Sequence, residues 1–297
     1  MPEDRRTASR SAEGRGPLAA GARLAPPRLD RGQIARPRLL SVLAQRWDRR
    51  ATLVVAGAGF GKSTLIGQAL AENAVAPRGL DLWLSLTPGD ADGTTLLHAL
   101  TSLLAGAFTP GTTPEPTLAT ALSQLSAVPP GTCLVLDDVH AVPVGSSGHR
   151  VLERVVGALP LQCSLLLGSR TEPVLPLAEW RAKGLVETIT ETALAYDDVE
   201  LTQLAAAKGR RSDDLGDLGG WPALVELSLA VGRDGSEPYL RQVVLDRLTP
   251  RQQRWLGAIH AIGGGDLGLV AAALDETGTD TATDPATLAE FAALDSV

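Results

Sequence analysis

A chain of 297 residues has room for one domain of ordinary size and a smaller second one, and its 44% hydrophobic content excludes a disordered or fibrous protein. Only 3% of the residues are aromatic, so the core must be built from Leu, Val and Ala. The formal charge of −7, from 27 Lys+Arg against 34 Asp+Glu, excludes a general attraction to polyanions; a nucleic-acid role would need a local basic patch.

Residues 1–31 are rich in Arg, Ala, Gly and Pro without apolar periodicity, which predicts a mobile tail. From Gln33 onward, short apolar runs alternate with helix-like stretches. Strands are predicted at 51–56, 81–86, 132–136, 163–168 and 185–189, several of them apolar throughout, as strands buried on both faces are. Helices are predicted at 62–72, 94–104, 118–125 and 149–159. This alternation implies an α/β fold, a parallel sheet covered by helices, over residues 32–192.

Beyond Glu191 the pattern is helical. One helix is predicted over 197–207, and Gly220-Trp221-Pro222 opens another, with proline at a first-turn position. Thr249-Pro-Arg-Gln252 has capping-box spacing, and Asp266 and Pro285 are candidate starts of two more helices. The expected organisation is a small helical domain at 193–234 and a further helical region at 235–297. Cys133 and Cys163 sit in apolar runs and are read as buried thiols. No run reaches the ~18 apolar residues of a membrane span and no apolar signal core opens the chain, so the expected compartment is the cytoplasm, with no membrane partner.

The segment Leu53-Val-Val-Ala-Gly-Ala-Gly-Phe-Gly-Lys-Ser-Thr-Leu65 reads as strand, glycine turn and helix start, the context that gives a phosphate-binding loop its meaning. Gly57, Gly59 and Gly61 let the backbone wrap closely, so that the N–H groups of Gly57, Ala58, Gly59, Phe60 and Gly61 can face phosphate oxygens, and the helix start adds its positive end through Ser63 and Thr64. Lys62 supplies a compact charge for β- and γ-phosphates, and Ser63 a hydroxyl for Mg²⁺. It is one of only three lysines, with Lys183 and Lys208, and so is not filler. The full motif has glycine where this chain has Ala56, which predicts a negative φ there. The expected ligands are ATP or ADP with Mg²⁺.

Such a site also needs a carboxylate at the end of a neighbouring strand. Leu134-Val-Leu-Asp137-Asp138-Val-His140 supplies two, at the edge where ligands bind in open α/β sheets. Asp137 is assigned to the Mg²⁺ shell and Asp138 to orienting or deprotonating the attacking water. His140 is read either as a turn histidine satisfied by backbone or as a polar partner of the phosphates. The following strand ends in Ser169-Arg170, and Arg170 is a candidate to neutralise γ-phosphate charge.

These residues resemble the MalT-like branch of the STAND signal-transduction ATPases, regulators often joined to a LuxR-type helix-turn-helix. The matching pieces, in order, are Arg36-Pro-Arg-Leu-Leu40, Val55 to Ser63, Trp83-Leu-Ser-Leu86 followed by Gly89-Asp90, Leu134 to His140, Gly168-Ser-Arg170 and Gly220-Trp-Pro222. The resemblance implies that Ile34, Ala35 and Arg36 border the adenine and that Pro222 touches the nucleotide from the helical domain. It implies a switch, silent with ADP and opened by an inducer and ATP, with self-association on activation and slow hydrolysis as the reset. It also implies that 235–297 begins a winged-helix domain, with sensor repeats and a DNA-binding domain to follow, so that DNA would be reached only through a domain outside this chain. The family usually has threonine at the position of Ser63.

The alternative is a metabolic P-loop kinase or other phosphoryl-transfer enzyme, which would need an acceptor pocket and an arginine-rich lid. The chain has no Lys or Arg after Arg254. A DNA-binding role for the C-terminal helices meets the same difficulty, since residues 261–297 hold acids and no bases.

Overall fold

In the computed structural model, which describes residues 22–30, 32–108, 115–211, 215 and 218–231, five parallel strands form one sheet. They are β1 (Ala51–Val55), β2 (Leu80–Ser85), β3 (Thr132–Asp137), β4 (Ser164–Ser169) and β5 (Val186–Thr190), in the order β2-β3-β4-β1-β5. Each follows a predicted strand within about a residue. Their period-2 alternation is fully used: Leu53, Leu134, Leu136, Leu165 and Leu167 feed one core layer, while Val54, Cys133, Val135 and Leu166 feed the other. A sheet covered on both faces requires such apolar runs.

One layer is closed by α3 (Gly93–Phe108), α4 (Leu118–Ser126) and α5 (Ser147–Gly157), the other by α1 (Pro37–Ala44) and α2 (Lys62–Val75). Local chemistry sets several of the helix starts. Thr117 accepts from the N–H of Thr120, and Ser146 from that of His149, each satisfying a donor the helix cannot pair internally. Two short helices that the sequence did not signal, α6 (Ala178–Ala182) and α7 (Glu191–Leu194), bracket β5. Cys133 and Cys163 are buried free thiols, and burial pushes the Cys133 thiol up to about 12.

Register aligns the carboxyl ends of the strands. Ser85 pairs with Asp137, and Val55 pairs with both Ser169 and Thr190. One expectation is corrected here: β3, which ends in the acids, is not the sheet neighbour of β1, because β4 lies between them. The phosphate loop and Asp137 therefore face each other across the end of β4, and the residues there must be small. Gly168 is, and a Cβ on it would collide with Asp137 Oδ1.

A second correction concerns the N-terminal segment. Residues 22–30, read from sequence as the end of a mobile tail, are tied to the sheet domain. The Ser85 N–H donates to Arg23 O at 2.9 Å, Arg23 pairs with the buried Asp90 at 2.5 Å, and Leu24 packs against the core. An ion pair to a buried carboxylate is invisible to a composition argument.

After β5 come α7, α8 (Asp198–Ala207) and α9 (Pro222–Val231). Asp197 and Glu200 form a capping box at the start of α8, and Leu204, Ala205, Leu215, Val225 and Leu229 make a small core of their own, with Ile34 and Tyr196 against it. The helices expected from Thr249, Asp266 and Pro285, and the winged-helix expectation for 235–297, lie outside the described residues.

Candidate phosphate-binding site

Between β1 and α2 the chain turns through Ala56–Gly61. Ala56 keeps a φ outside the left-handed region, as expected of alanine there, while Gly59 (φ 78°) and Gly61 (φ 77°) occupy it, a conformation glycine adopts without cost. The Ala56 N–H donates to Ser169 O at 3.2 Å, anchoring the loop to the end of β4. Inside the loop, Lys62 donates from Nζ to the carbonyls of Ala56 and Gly57, both at 2.7 Å. Burial pulls the pKa of Lys62 below the ordinary lysine value, opposed by the charges of Asp137, Asp138 and Glu191 and reinforced by Arg170.

Asp137 is 1% exposed, and its Oδ1 is buried without a partner. Burial raises its pKa; a hydrogen bond from Ser63 opposes this, and the charge of Asp138 adds to it. An orphaned buried carboxylate oxygen is a costly feature that a cation would relieve. A carboxylate beside a hydroxyl, with phosphates to complete the shell, is the donor set Mg²⁺ takes. Asp138 has φ 56°, the one left-handed non-glycine backbone among the described residues. Such strain collects at functional sites, and aspartate tolerates it better than most residues.

His140 and Arg170 meet at this edge: the Arg170 N–H donates to His140 Nδ1 at 3.4 Å. Burial lowers the pKa of His140, which favours the neutral ring that this acceptor role needs. Of the two readings of His140, its observed partner is backbone.

A cavity of about 430 Å³ opens beside the helix start, with Ile34, Gly61, Thr64, Gln68, Tyr196 and Pro222 in its wall. Arg36 also borders it but is committed elsewhere. Its guanidinium donates to Glu200 at 3.1 and 2.8 Å and to Ala195 O at 3.0 Å, and lies 4.7 Å over the Tyr196 ring. Ala35 is exposed and outside the cavity wall. A second cavity, about 590 Å³, lies under residues 22–28 and is bounded by Ser63, Trp83, Ser85, Asp137 and Asp138.

The helical segment reaches the phosphate loop directly. Trp221 donates its indole N–H to Ala58 O at 3.1 Å, the Ala223 N–H donates to Gly59 O at 3.0 Å, and Phe60 stacks on Trp221 with centroids 6.1 Å apart. The Phe60 ring thus packs against the helical segment. A Cβ on Gly59 would stand 2.7 Å from Ala223 Cβ and 2.9 Å from Trp221 Nε1, so this close approach requires glycine as much as the turn does.

Sequence reasoning missed four of these groups. In the sequence Trp221 stands out only as the middle of Gly220-Trp221-Pro222. Glu191, whose carboxylate accepts from the Gly57 N–H at 2.8 Å, and the Arg38–Glu200 contacts at 3.1 and 2.8 Å involve partners more than a hundred residues apart. A capping-box search at Asp197 would have found Glu200.

Burial alone would push the Glu200 carboxyl up, yet bonds from Arg36 and Arg38 hold it below the usual carboxylate range. Glu200→Gln is expected to cost about 2 kcal/mol at pH 7, because two arginines lose their shared counter-ion. A folded-state pKa below the unfolded one means the stabilisation is complete above the ordinary carboxylate pKa and disappears as pH falls through the lowered value. Urea unfolding of parent and variant should therefore differ fully at neutral pH and converge in acid; a gap independent of pH would refute the ion-pair account.

No family model and no curated protein matches the sequence. Among solved structures, the chain is similar to the Walker-type ATPase PABY2304 of Pyrococcus abyssi, with a TM-score of 0.61 at 15% identity, covering 90% of this chain and 91% of that one. It also matches the Orc1 protein of Aeropyrum pernix in complex with DNA, at a TM-score of 0.37 and 17% identity, over 87% of this chain and 80% of that one. The five-stranded parallel sheet with flanking helices is a P-loop NTPase fold. Among the described residues, no helix is long and apolar enough to cross a membrane.

Proposed function

We propose that the chain is a nucleotide-gated regulatory ATPase of the STAND type, an ATP/ADP switch reset by slow Mg²⁺-dependent hydrolysis. The observation that carries this reading is the bonding of the helical segment to the phosphate loop itself, through Trp221 to Ala58 O and Ala223 to Gly59 O. Loop conformation and inter-segment packing share the same two residues, so a ligand that resets the loop also acts on the segment.

In this reading the loop N–H groups and Lys62 hold phosphate, and Thr64, Ile34 and Pro222 border the base and sugar. Arg36 borders the same cavity while its guanidinium is held by Glu200, and Ala35 precedes it outside the wall. Ser63 and Asp137 would hold Mg²⁺, which when bound supplies charge neutralisation between phosphate oxygens. Asp138 orients the attacking water and accepts its proton. Arg170, fixed by its backbone bond to His140, faces the developing charge. Self-association on activation, an inducer and contact with DNA through another domain belong to the same proposal, as does a cytoplasmic location.

A ligand shifts a two-state equilibrium only by its differential affinity for the two states; moving it from 1:99 to 99:1 takes about 5.5 kcal/mol. The test is to measure ATP and ADP affinities separately and to follow, with each, the tryptophan emission that is lost in Trp221→Phe. Different affinities with different emission are expected. Equal affinities and identical emission would remove the switch and leave a plain ATPase.

A further inference from the structure

Glu191 has no part in the proposed hydrolysis, yet its carboxylate touches the phosphate loop. Register explains how it gets there: Val55 pairs with Thr190, so Glu191 leaves β5 level with the start of the loop at Ala56, and Oε2 accepts from the Gly57 N–H at 2.8 Å. That contact marks one end of the loop. Lys62 Nζ sits on the carbonyls of Ala56 and Gly57, and the lysine of such a loop reaches the β- and γ-phosphates. The base-sized cavity lies at the other end, beside Gly61 and Thr64. A triphosphate laid from that cavity toward Lys62 would carry its γ-phosphate to the Gly57 end of the loop, where Glu191 sits, whereas a diphosphate would stop one phosphate short.

The charges around Lys62 sharpen the point. The charges of Asp137, Asp138 and Glu191 act on it against that of Arg170, so Glu191 adds a negative charge beside the loop lysine before any phosphate arrives. The other two carboxylates lie on the β3 side, with a metal and a water to serve. Glu191 comes from β5, on the opposite side of β1 from β4, and has neither task.

We propose that Glu191 is a specificity-determining residue that weights the site toward the diphosphate, its carboxylate holding the Gly57 N–H and repelling the γ-phosphate. This rests on the phosphate-loop reading above. A triphosphate binds only by displacing the carboxylate or tolerating a like charge beside it, and such juxtaposition is disfavoured.

The experiment is isothermal titration of the full chain with MgADP and with a magnesium ATP analogue carrying an imido β–γ bridge, on the parent and on Glu191→Gln. Glutamine keeps an acceptor for the Gly57 N–H and removes only the charge. The parent should prefer ADP, and the variant should bind the analogue about tenfold tighter with ADP within about twofold. A second measurement needs no variant: the parent's preference for ADP should narrow between about 0.05 M and 0.5 M salt, as a screened like-charge contact must. An analogue-to-ADP ratio unchanged by both charge removal and salt overturns the role of Glu191 while leaving the phosphate loop standing. A parent that binds neither ligand overturns both.

Discussion

Lys62→Ala is expected to abolish detectable nucleotide binding and to leave the fold in place. Lys62 is 7% exposed and its ammonium is bonded to two loop carbonyls, so it stands ready for phosphate oxygens without searching for a conformation. Losing two charge-assisted bonds to phosphate costs about 4 kcal/mol, or a ~10³-fold weaker Kd. The loss to the fold is expected to be small by comparison, because the Lys62 side chain belongs to neither apolar core layer. Anisotropy of a fluorescent ADP analogue reports the first effect and far-UV thermal melting the second. A variant that binds within tenfold of the parent would move the phosphate site elsewhere.

Asp138→Asn should separate binding from chemistry. Asparagine also tolerates the left-handed backbone found at φ 56°, so the substitution exchanges a proton acceptor for an amide without moving the chain. Removing a general base costs about 10²- to 10⁴-fold in kcat, while the Kd for MgADP should stay within about threefold because Asp137 and Ser63 are untouched. Phosphate release under single-turnover conditions is the measurement. An undiminished rate would remove Asp138 from the mechanism, and a parallel loss of ADP binding would mean that it holds the metal.

In the proposed mechanism the loop between β1 and α2 would supply the binding charge and the end of β3 the base. Inserting β4 sets their separation, with Ser169 O holding Ala56 on one side and Gly168 admitting Asp137 on the other.

The five strands and the phosphate loop were legible because their signals are local. Apolar runs such as Leu134-Val-Leu136 carry their own burial, and Gly-Lys-Ser is meaningful only between a strand and a helix. Strand order was not legible: nothing in Leu165-Leu-Leu167 says that it lies between β1 and β3, so the acids were assigned to a neighbour of the loop strand. Glu191 and Arg23 were missed for a related reason. Each is an ordinary surface residue type whose partner, Gly57 N–H or Asp90, is fixed only by the folded topology. Arg36 illustrates the converse. A resemblance assigned it to the base, and the folded chain commits its guanidinium to Glu200 and the Ala195 carbonyl, a demand no motif expresses.

On the function proposed above, the Ala56–Ser63 cradle and the Asp137–Asp138 edge together receive a magnesium-bound adenine nucleotide. Calorimetric titration of MgADP into folded protein tests it most directly. One binding event per chain, weakened when magnesium is chelated, is the predicted result; no heat from material with an intact thermal transition would contradict it.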